Sequence, residues 1–381
     1  MSYQLKDKNI LVISPQSWGN MFLTKHHYSV ELAKNNNVFF LSPPYSNKYI
    51  NAAIRIRKSA DVEKLWIIDH SLGFPFWLKF KLPGLFHLCM KSHIKKLLRS
   101  INVKLDIVWS FDLGNLYPLK FFPLNTLKIF HPVDEPGDKM ALKAADSADV
   151  IFSVTNEILS KYHFSNAPKH VMNHGVIVDF FVCAQKEDDS VNVGLSGNFL
   201  RADIDRPVLL KIISENPSVK FHLWGSYRIE QSNIAGNEDR NTKLFIESLM
   251  NKRNVIFYGP VSPTVLAEAF SRVDAFLICY DINLDQSKGT NYHKIMEYLS
   301  TGKVIIANNV SAYKKYRNLI CMVDERTDNN KLPDLFKSVM NNLAENNRKE
   351  LREERIDFAK ENTYARQIEK IEVLLNSYNN S

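Results

Sequence analysis

The sequence predicts an α/β protein made of two doubly wound, mostly parallel sheets in tandem. Short runs rich in Val, Ile and Phe are apolar on successive residues, so the strands are expected to be buried on both faces. Helical patterns lie between these runs, and strand alternating with helix marks a doubly wound domain. A polar, charged stretch at residues 185–190, QKEDDS, divides the series in two and reads as a linker.

The first series places strands at residues 9–14, 38–42, 65–69, 106–111, 127–132, 149–154 and 170–173. Between them, Leu23, His27, Val30 and Ala33 recur at helical spacing, as do Ile94, Leu97, Leu98 and Ile101. The second series places strands at 191–195, 219–224, 255–258, 275–280, 304–307 and 320–323. No glycine occurs after Lys303, which favours long helices to the end, and Ile368, Ile371, Leu374 and Leu375 form a stripe that needs a surface. The expected domains are residues 1–184, 191–355 and a final helical piece, 356–381. A chain of 381 residues suits two domains better than one. Ligands bind at the carboxyl ends of parallel strands, so the cleft between two such sheets is the expected site.

The 49 Lys and Arg outnumber the 41 Asp and Glu. Of these, 22 basic and 14 acidic residues lie in 1–180, so the whole net charge of +8 belongs to the first half. Residues 72–104 hold no acid and interleave seven basic residues with Phe74, Phe76, Trp77, Phe80 and Phe86. That combination suits an anionic membrane surface, although a solvated basic helix has the same composition. Nothing resembles a nucleic-acid module, and no G-x-G-x-x-G follows an early strand, so nucleic-acid binding and nicotinamide chemistry are weak alternatives. Cys89, Cys183, Cys279 and Cys321 are too scattered for a zinc site or a disulfide framework. Neither an apolar leader nor a membrane-length apolar run is present, and the expected location is cytoplasmic.

The most informative stretch is residues 286–309, QSKGTNYHKIMEYLSTGKVIIANN. Lys288, Gly289 and Thr290 are expected to form a loop opening a helix, where unpaired amides and a lysine would suit a phosphate. Lys294 and Glu297 share a helix face. A cation there can meet a phosphate, and a carboxylate can take the two hydroxyls of a ribose. An ordinary solvated Lys–Glu pair gives the same spacing.

KIMEYLSTGKVIIAN resembles the donor-binding segment of GT-B glycosyltransferases of the family 4 type, and bacterial cell-surface polysaccharide transferases, such as those of teichuronic acid synthesis, in particular. Further segments are similar to that family in the right order: residues 10–15 with Trp18 and Gly19, ADVIFSVT at 148–155, NHGVIVDFF at 173–181, NVIFYGPV at 254–261 and ENTYARQI at 361–368. The resemblance implies the GT-B architecture, two Rossmann-like domains facing across a cleft with a C-terminal helix returning to the first. It implies Glu297 as ribose ligand, Gly19 on a donor-side loop and Tyr258 beside the base. It also implies a hexosyl transfer from a nucleotide diphosphate sugar, with no cofactor and no metal, to a glycan or lipid-linked acceptor at the inner face of the plasma membrane. The chain departs from the pattern at Gly289, where the family usually has the first of two glutamates, so the sugar and the stereochemistry stay open. An epimerase of the same fold is the rival reading; omitting the acceptor separates the two.

Other candidates follow from position. Ser196, Gly197 and Asn198 end the first strand of the second domain, with Arg201 or Arg206 to add charge beside a diphosphate; an ordinary turn is the alternative. His131 and Asp134 follow a buried strand of the first domain and are the candidate catalytic residues: the resemblance implies His131 near the donor sugar, since it aligns loosely with a family histidine, and Asp134 could instead be general base in an inverting enzyme. Asp134 could equally cap a helix. His163, His170 and His174 form no metal constellation.

Overall fold

The computed structural model describes residues 4–19, 21–45, 53–182, 189–231, 239–285 and 288–379. Residues 185–188 of the expected linker, and Gln286 and Ser287 of the donor segment, lie outside these. The chain divides into two compact units. The first comprises residues 1–18, 24–173 and 367–381; the second comprises 19–23 and 174–366.

Among the described residues the first unit holds β1 (Asn9–Ile13), β2 (Asn37–Leu41), β3 (Ile54–Lys58), β4 (Leu65–His70), β5 (Ile107–Ser110), β6 (Leu127–Phe130), β7 (Val150–Ser153) and β8 (Lys169–Val171). Their order in the sheet is β3-β4-β2-β1-β5-β6-β7-β8. All pairings are parallel except β3 on β4. The expected strands are all present. β3 was not expected: IRIRK alternates apolar with basic residues, as an edge strand half in water does. Its Arg57 is paired with Asp69 at 3.0 Å, and charge along an edge discourages further pairing. The helices of this unit are α1 (Thr24–Ala33), α2 (Leu78–Lys81), α3 (Pro83–Ile101), α4 (Lys139–Lys143) and α5 (Asn156–Ser160).

The second unit holds β9 (Asn192–Ser196), β10 (Lys220–Trp224), β11 (Val255–Gly259), β12 (Ala275–Ile278), β13 (Val304–Ala307) and β14 (Cys321–Met322). The order is β11-β10-β9-β12-β13-β14, all parallel. Its helices are α6 (Arg206–Glu215), α7 (Arg240–Met250), α8 (Pro263–Ser271), α9 (Lys294–Leu299), α10 (Leu332–Asn341), α11 (Leu343–Asn346) and α12 (Lys349–Lys360). Two cores flank the sheet, one under α6, α7 and α10, the other under α8, α9 and α12. Buried Arg355 of α12 donates to the carbonyls of Gly302 (3.1 Å), Asn346 (2.9 Å) and Leu319 (3.3 Å). The bond to Gly302 satisfies a carbonyl just beyond α9, and the other two tie the end of α11 and the approach to β14 to the same guanidinium.

An aspartate preceding a strand recurs with one structural task. Asp106 accepts from Asn9 N at 2.8 Å, Asp149 from Lys128 N at 2.7 Å and Asp274 from Asn192 N at 2.8 Å. Each carboxylate takes an amide at the start of the neighbouring parallel strand, the first of β1 and β9 and the second of β6. The aspartate of ADVIFSVT is thus a register device.

The final helix, α13 (Tyr364–Asn379), begins in the second unit and passes into the first at Gln367. The returning piece was expected to start at 356, but α12 packs on α9 within the second unit. In the first unit, Glu372 accepts from Leu5 N and Tyr378 bonds His170. Among the described residues no helix is long and apolar enough to cross a membrane.

Candidate functional site

In the second unit β9 and β12 are neighbours although three crossover connections separate them in sequence. Strand order reverses there, and the carboxyl ends of such strands diverge to leave a crevice. Ser196 ends β9 and Gly197 follows it, Tyr280 follows β12, and Lys294 and Glu297 come from α9.

The β9 loop is set by two glycines. Gly197 has φ +146° and Gly225, just after β10, has φ +122°. A Cβ on Gly225 would overlap the Gly197 carbonyl oxygen and stand 2.8 Å from its carbonyl carbon. The two backbones therefore touch, joined by Gly197 N to Trp224 O at 2.9 Å and Phe199 N to Ser226 O at 2.8 Å. Asn198 is buried and its side chain accepts from Leu200 N at 3.0 Å, which shapes the loop from within.

Lys294 and Glu297 are not a solvated surface pair: they are 6% and 8% exposed. The Lys294 ammonium donates to Ser196 O and, at 2.6 Å, to the Tyr280 hydroxyl. It lies against Gly197, where a Cβ would meet Nζ at 2.7 Å. Burial lowers the Lys294 pKa, while Tyr298 and Glu297 oppose that shift. Tyr298 accepts from Ser196 N at 2.8 Å, tying the other side of α9 to the same loop. The Glu297 carboxylate makes no hydrogen bond or ion pair among the described residues, although the backbone carbonyl accepts from the Ser300 hydroxyl at 2.7 Å. Burial raises its pKa to about 7, against the pull of Lys294. A buried carboxylate without a donor is costly unless a ligand completes it.

Several expected site residues are otherwise occupied. α9 begins only at Lys294, so Lys288, Gly289 and Thr290 precede it by a turn and do not open it. The Gly289 amide donates to the Asp285 carboxylate at 2.9 Å, and Gly289 is required by its φ of +66° and by Asn309 O, 2.8 Å from where a Cβ would stand. Packing accounts for this glycine, which corrects its reading as an open phosphate cradle. Lys288 is exposed and Thr290 fully buried. Arg201 Nε donates to both oxygens of buried Asp203 at 2.9 Å, and Arg206 lies over the Phe245 ring at 5.1 Å while donating to Thr242. Both guanidinium groups are engaged inside the unit, whereas the Lys294 ammonium lies against the loop itself. Tyr258 lies elsewhere: its ring is nearly parallel to those of Trp224 and His222, and it lines a separate groove of about 440 Å³ with Lys220, Val265 and Arg272. Gly19 opens residues 19–23, which group with the second unit.

In the first unit His131 is fully buried among Phe111, Trp109, Tyr28 and Phe152, its ring 4.9 Å from that of Phe111. Trp109 Nε1 donates to His131 Nδ1 at 3.3 Å. An indole only donates, so that nitrogen is unprotonated and the ring neutral. The expectation of an accessible catalytic histidine is corrected to an aromatic-core residue. Asp134 is half-buried and faces the charge of Lys25, a fully buried residue of α1 whose pKa burial lowers to about 8. Helix α4 is capped by Asp138, accepting from Ala141 N at 2.9 Å, so Asp134 is not the cap. Sequence reasoning missed Lys25, Asp203, Gly225 and Tyr280. Lys25 could have been found, since it shares the apolar stripe of Tyr28 and Leu32 at helical spacing.

Among the described residues no group of three or more His, Cys, Asp or Glu could hold a metal ion. No protein-family model matches the chain, and no curated protein matches it in sequence. Solved structures do match over nearly the full length. Sucrose-phosphate synthase of Thermosynechococcus elongatus is similar with 12% identity and a TM-score of 0.69, over 97% of this chain and 99% of that one. Anabaena HepE in complex with UDP and glucose gives 12% and 0.68, over 97% and 100%. The lipopolysaccharide outer core galactosyltransferase WaaB gives 13% and 0.58, over 98% and 100%. The chain has the GT-B fold, two Rossmann-like parallel-sheet domains.

Proposed function

We propose that the second unit binds a nucleotide diphosphate sugar at the carboxyl ends of β9 and β12, and that the chain transfers the sugar to a glycan or lipid-linked acceptor. The observation that carries the reading is Glu297: a carboxylate 8% exposed, lacking a donor among the described residues, three positions from a buried lysine. Vicinal ribose hydroxyls supply the two donors it lacks. Lys294, held against the β9 loop, faces the diphosphate. As the bond from the anomeric carbon to the diphosphate oxygen breaks, negative charge grows on that oxygen, and a fixed ammonium in a buried site stabilises it. The anomeric carbon bonds to the acceptor oxygen, whose proton passes to the departing diphosphate or to solvent, and the nucleoside diphosphate is released. Similarity to proteins solved with UDP and glucose supports UDP and a hexose as the first donor to try.

The test is calorimetric titration with UDP and UDP-glucose between pH 5.5 and 8.5. Glu297 accepts ribose hydroxyls best when ionised, and its pKa stands at about 7. Affinity is expected to fall as pH drops below 7, approaching tenfold per unit, and to level off above it. Affinity independent of pH across that window would sink the assignment.

A second expectation concerns the leaving group. With Lys294 facing the diphosphate, turnover in excess EDTA is expected to equal turnover without it. Loss on chelation, restored by magnesium or manganese, would require a cation in place of the lysine.

A further inference from the structure

The outer face of α2 and of the first turns of α3 is apolar where a surface is usually polar. Phe80 is 73% exposed and Leu88 68%, and Phe76, Trp77, Leu82 and Leu85 are each about half exposed. The inner face is already satisfied: Phe86, Met90, Ile94 and Leu97 are buried in the core of the first unit. The exposed apolar residues are therefore surplus to packing. They are also contiguous, since Leu85 and Leu88 are three apart on α3 and Phe76 packs edge-on to Phe80 and Phe86. A contiguous apolar patch of this kind marks an interaction site.

Charge identifies the partner. The outward stripe that begins with Leu85 and Leu88 continues along α3 as Lys91, Lys95 and Arg99, all exposed. Lys81 stands beside Phe80 and Leu82, also exposed. Among the described residues Lys81, Lys91, Lys95 and Arg99 enter no ion pair. An apolar end that continues into a cationic stripe, with no acid in residues 72–104, complements an anionic bilayer, in which rings and Leu enter the interface and ammonium groups stay at the headgroups.

We infer that α2 and the outer face of α3 dock the protein on an anionic lipid bilayer, with Trp77, Phe80, Leu85 and Leu88 entering the interface and Lys81, Lys91, Lys95 and Arg99 lying over the headgroups. The inference stands on this surface alone and goes beyond the donor reading.

The full chain is floated with vesicles of phosphatidylcholine and of phosphatidylcholine with phosphatidylglycerol, at low and high salt. Wild type is expected to float with the anionic vesicles only, and salt should weaken it. The double variant Phe80→Ser/Leu88→Ser and the double variant Lys91→Glu/Lys95→Glu should each lower partitioning, the charge reversal by roughly a hundredfold. Both alter exposed residues, and unchanged UDP calorimetry in each keeps the donor reading separate from this one. Bromine-labelled lipid should quench wild-type fluorescence and spare a Trp77→Phe variant. Wild type left unbound by anionic vesicles at low salt overturns the inference, as does binding that survives both double variants. A concentration-dependent dimer abolished by Phe80→Ser/Leu88→Ser, without flotation, would make the face a contact between two copies.

Discussion

Glu297→Gln is expected to abolish sugar transfer and, at pH 8, to make the protein more stable. The carboxyl pKa is raised by burial from 4.5 to about 7 in the folded chain. A group whose pKa is raised on folding holds its proton more tightly in the folded state. Folding therefore carries no penalty from it below pH 4.5, a growing penalty between 4.5 and 7, and the full penalty above 7. Each pKa unit is worth about 1.4 kcal/mol, so the full penalty is roughly 3 kcal/mol, with the attraction of Lys294 already in the balance. Glutamine resembles the protonated acid and escapes it. Denaturant unfolding at pH 8 should show the gain, and at pH 4.5 the variant and wild type should nearly coincide. UDP affinity should fall by at least tenfold, because an amide offers one acceptor oxygen and no charge. A variant that keeps wild-type UDP affinity would remove Glu297 from the site. One that is less stable at pH 8 would show that the carboxylate is structurally satisfied.

Gly225→Ala is expected to be the most damaging single methyl in the second unit. Its Cβ would collide with Gly197, 2.8 Å from the carbonyl carbon and closer still to the oxygen, and φ is +122°. Both obstacles are backbone, so no side chain can swing aside. Relief means lifting the β9 loop from β10 and losing the bonds Gly197 N–Trp224 O and Phe199 N–Ser226 O. We expect a loss of about 4 kcal/mol or more, read from the unfolding midpoint. UDP binding should vanish with it, because Lys294 is anchored on Ser196 in that loop. Gly197→Ala is the informative control. There the nearest atom is the end of a lysine side chain, so the cost is mainly that of φ +146°, about 1 to 3 kcal/mol. A Gly225→Ala protein that melts with wild type would mean the loop does not rest on that glycine.

Strands buried on both faces were legible because successive apolar residues admit few other readings; β3 was not, since IRIRK obeys the opposite pattern. The segment 286–309 was legible as a motif, and the burial of Lys294 and Glu297 excludes the solvated surface pair that their spacing also allowed. Position within the motif was less telling. Gly289 looked like a phosphate contact, yet only coordinates reveal that Asp285 takes its amide. Arg201 looked like a spare cation, although Asp203 two residues on was a visible partner. His131 was placed correctly after its strand, but which way the ring turns depends on Trp109 and Phe111, from a different strand and the residue after it. Long-range contacts of this kind leave no local trace.

The division of the chain also orders its assembly in time. Residues 174–366, most of the second unit, are contiguous, whereas the first unit is completed by residues 367–381. During synthesis the eight strands of the first sheet emerge early, but the helix carrying Glu372 and Tyr378 is made only after the whole of residues 174–366. Until that helix is in place, the surface around Leu5 and His170 stays uncovered. The first unit is thus completed only by the last residues made, and a chain cut short before residue 367 would leave that surface unfinished and open to chaperones or to aggregation.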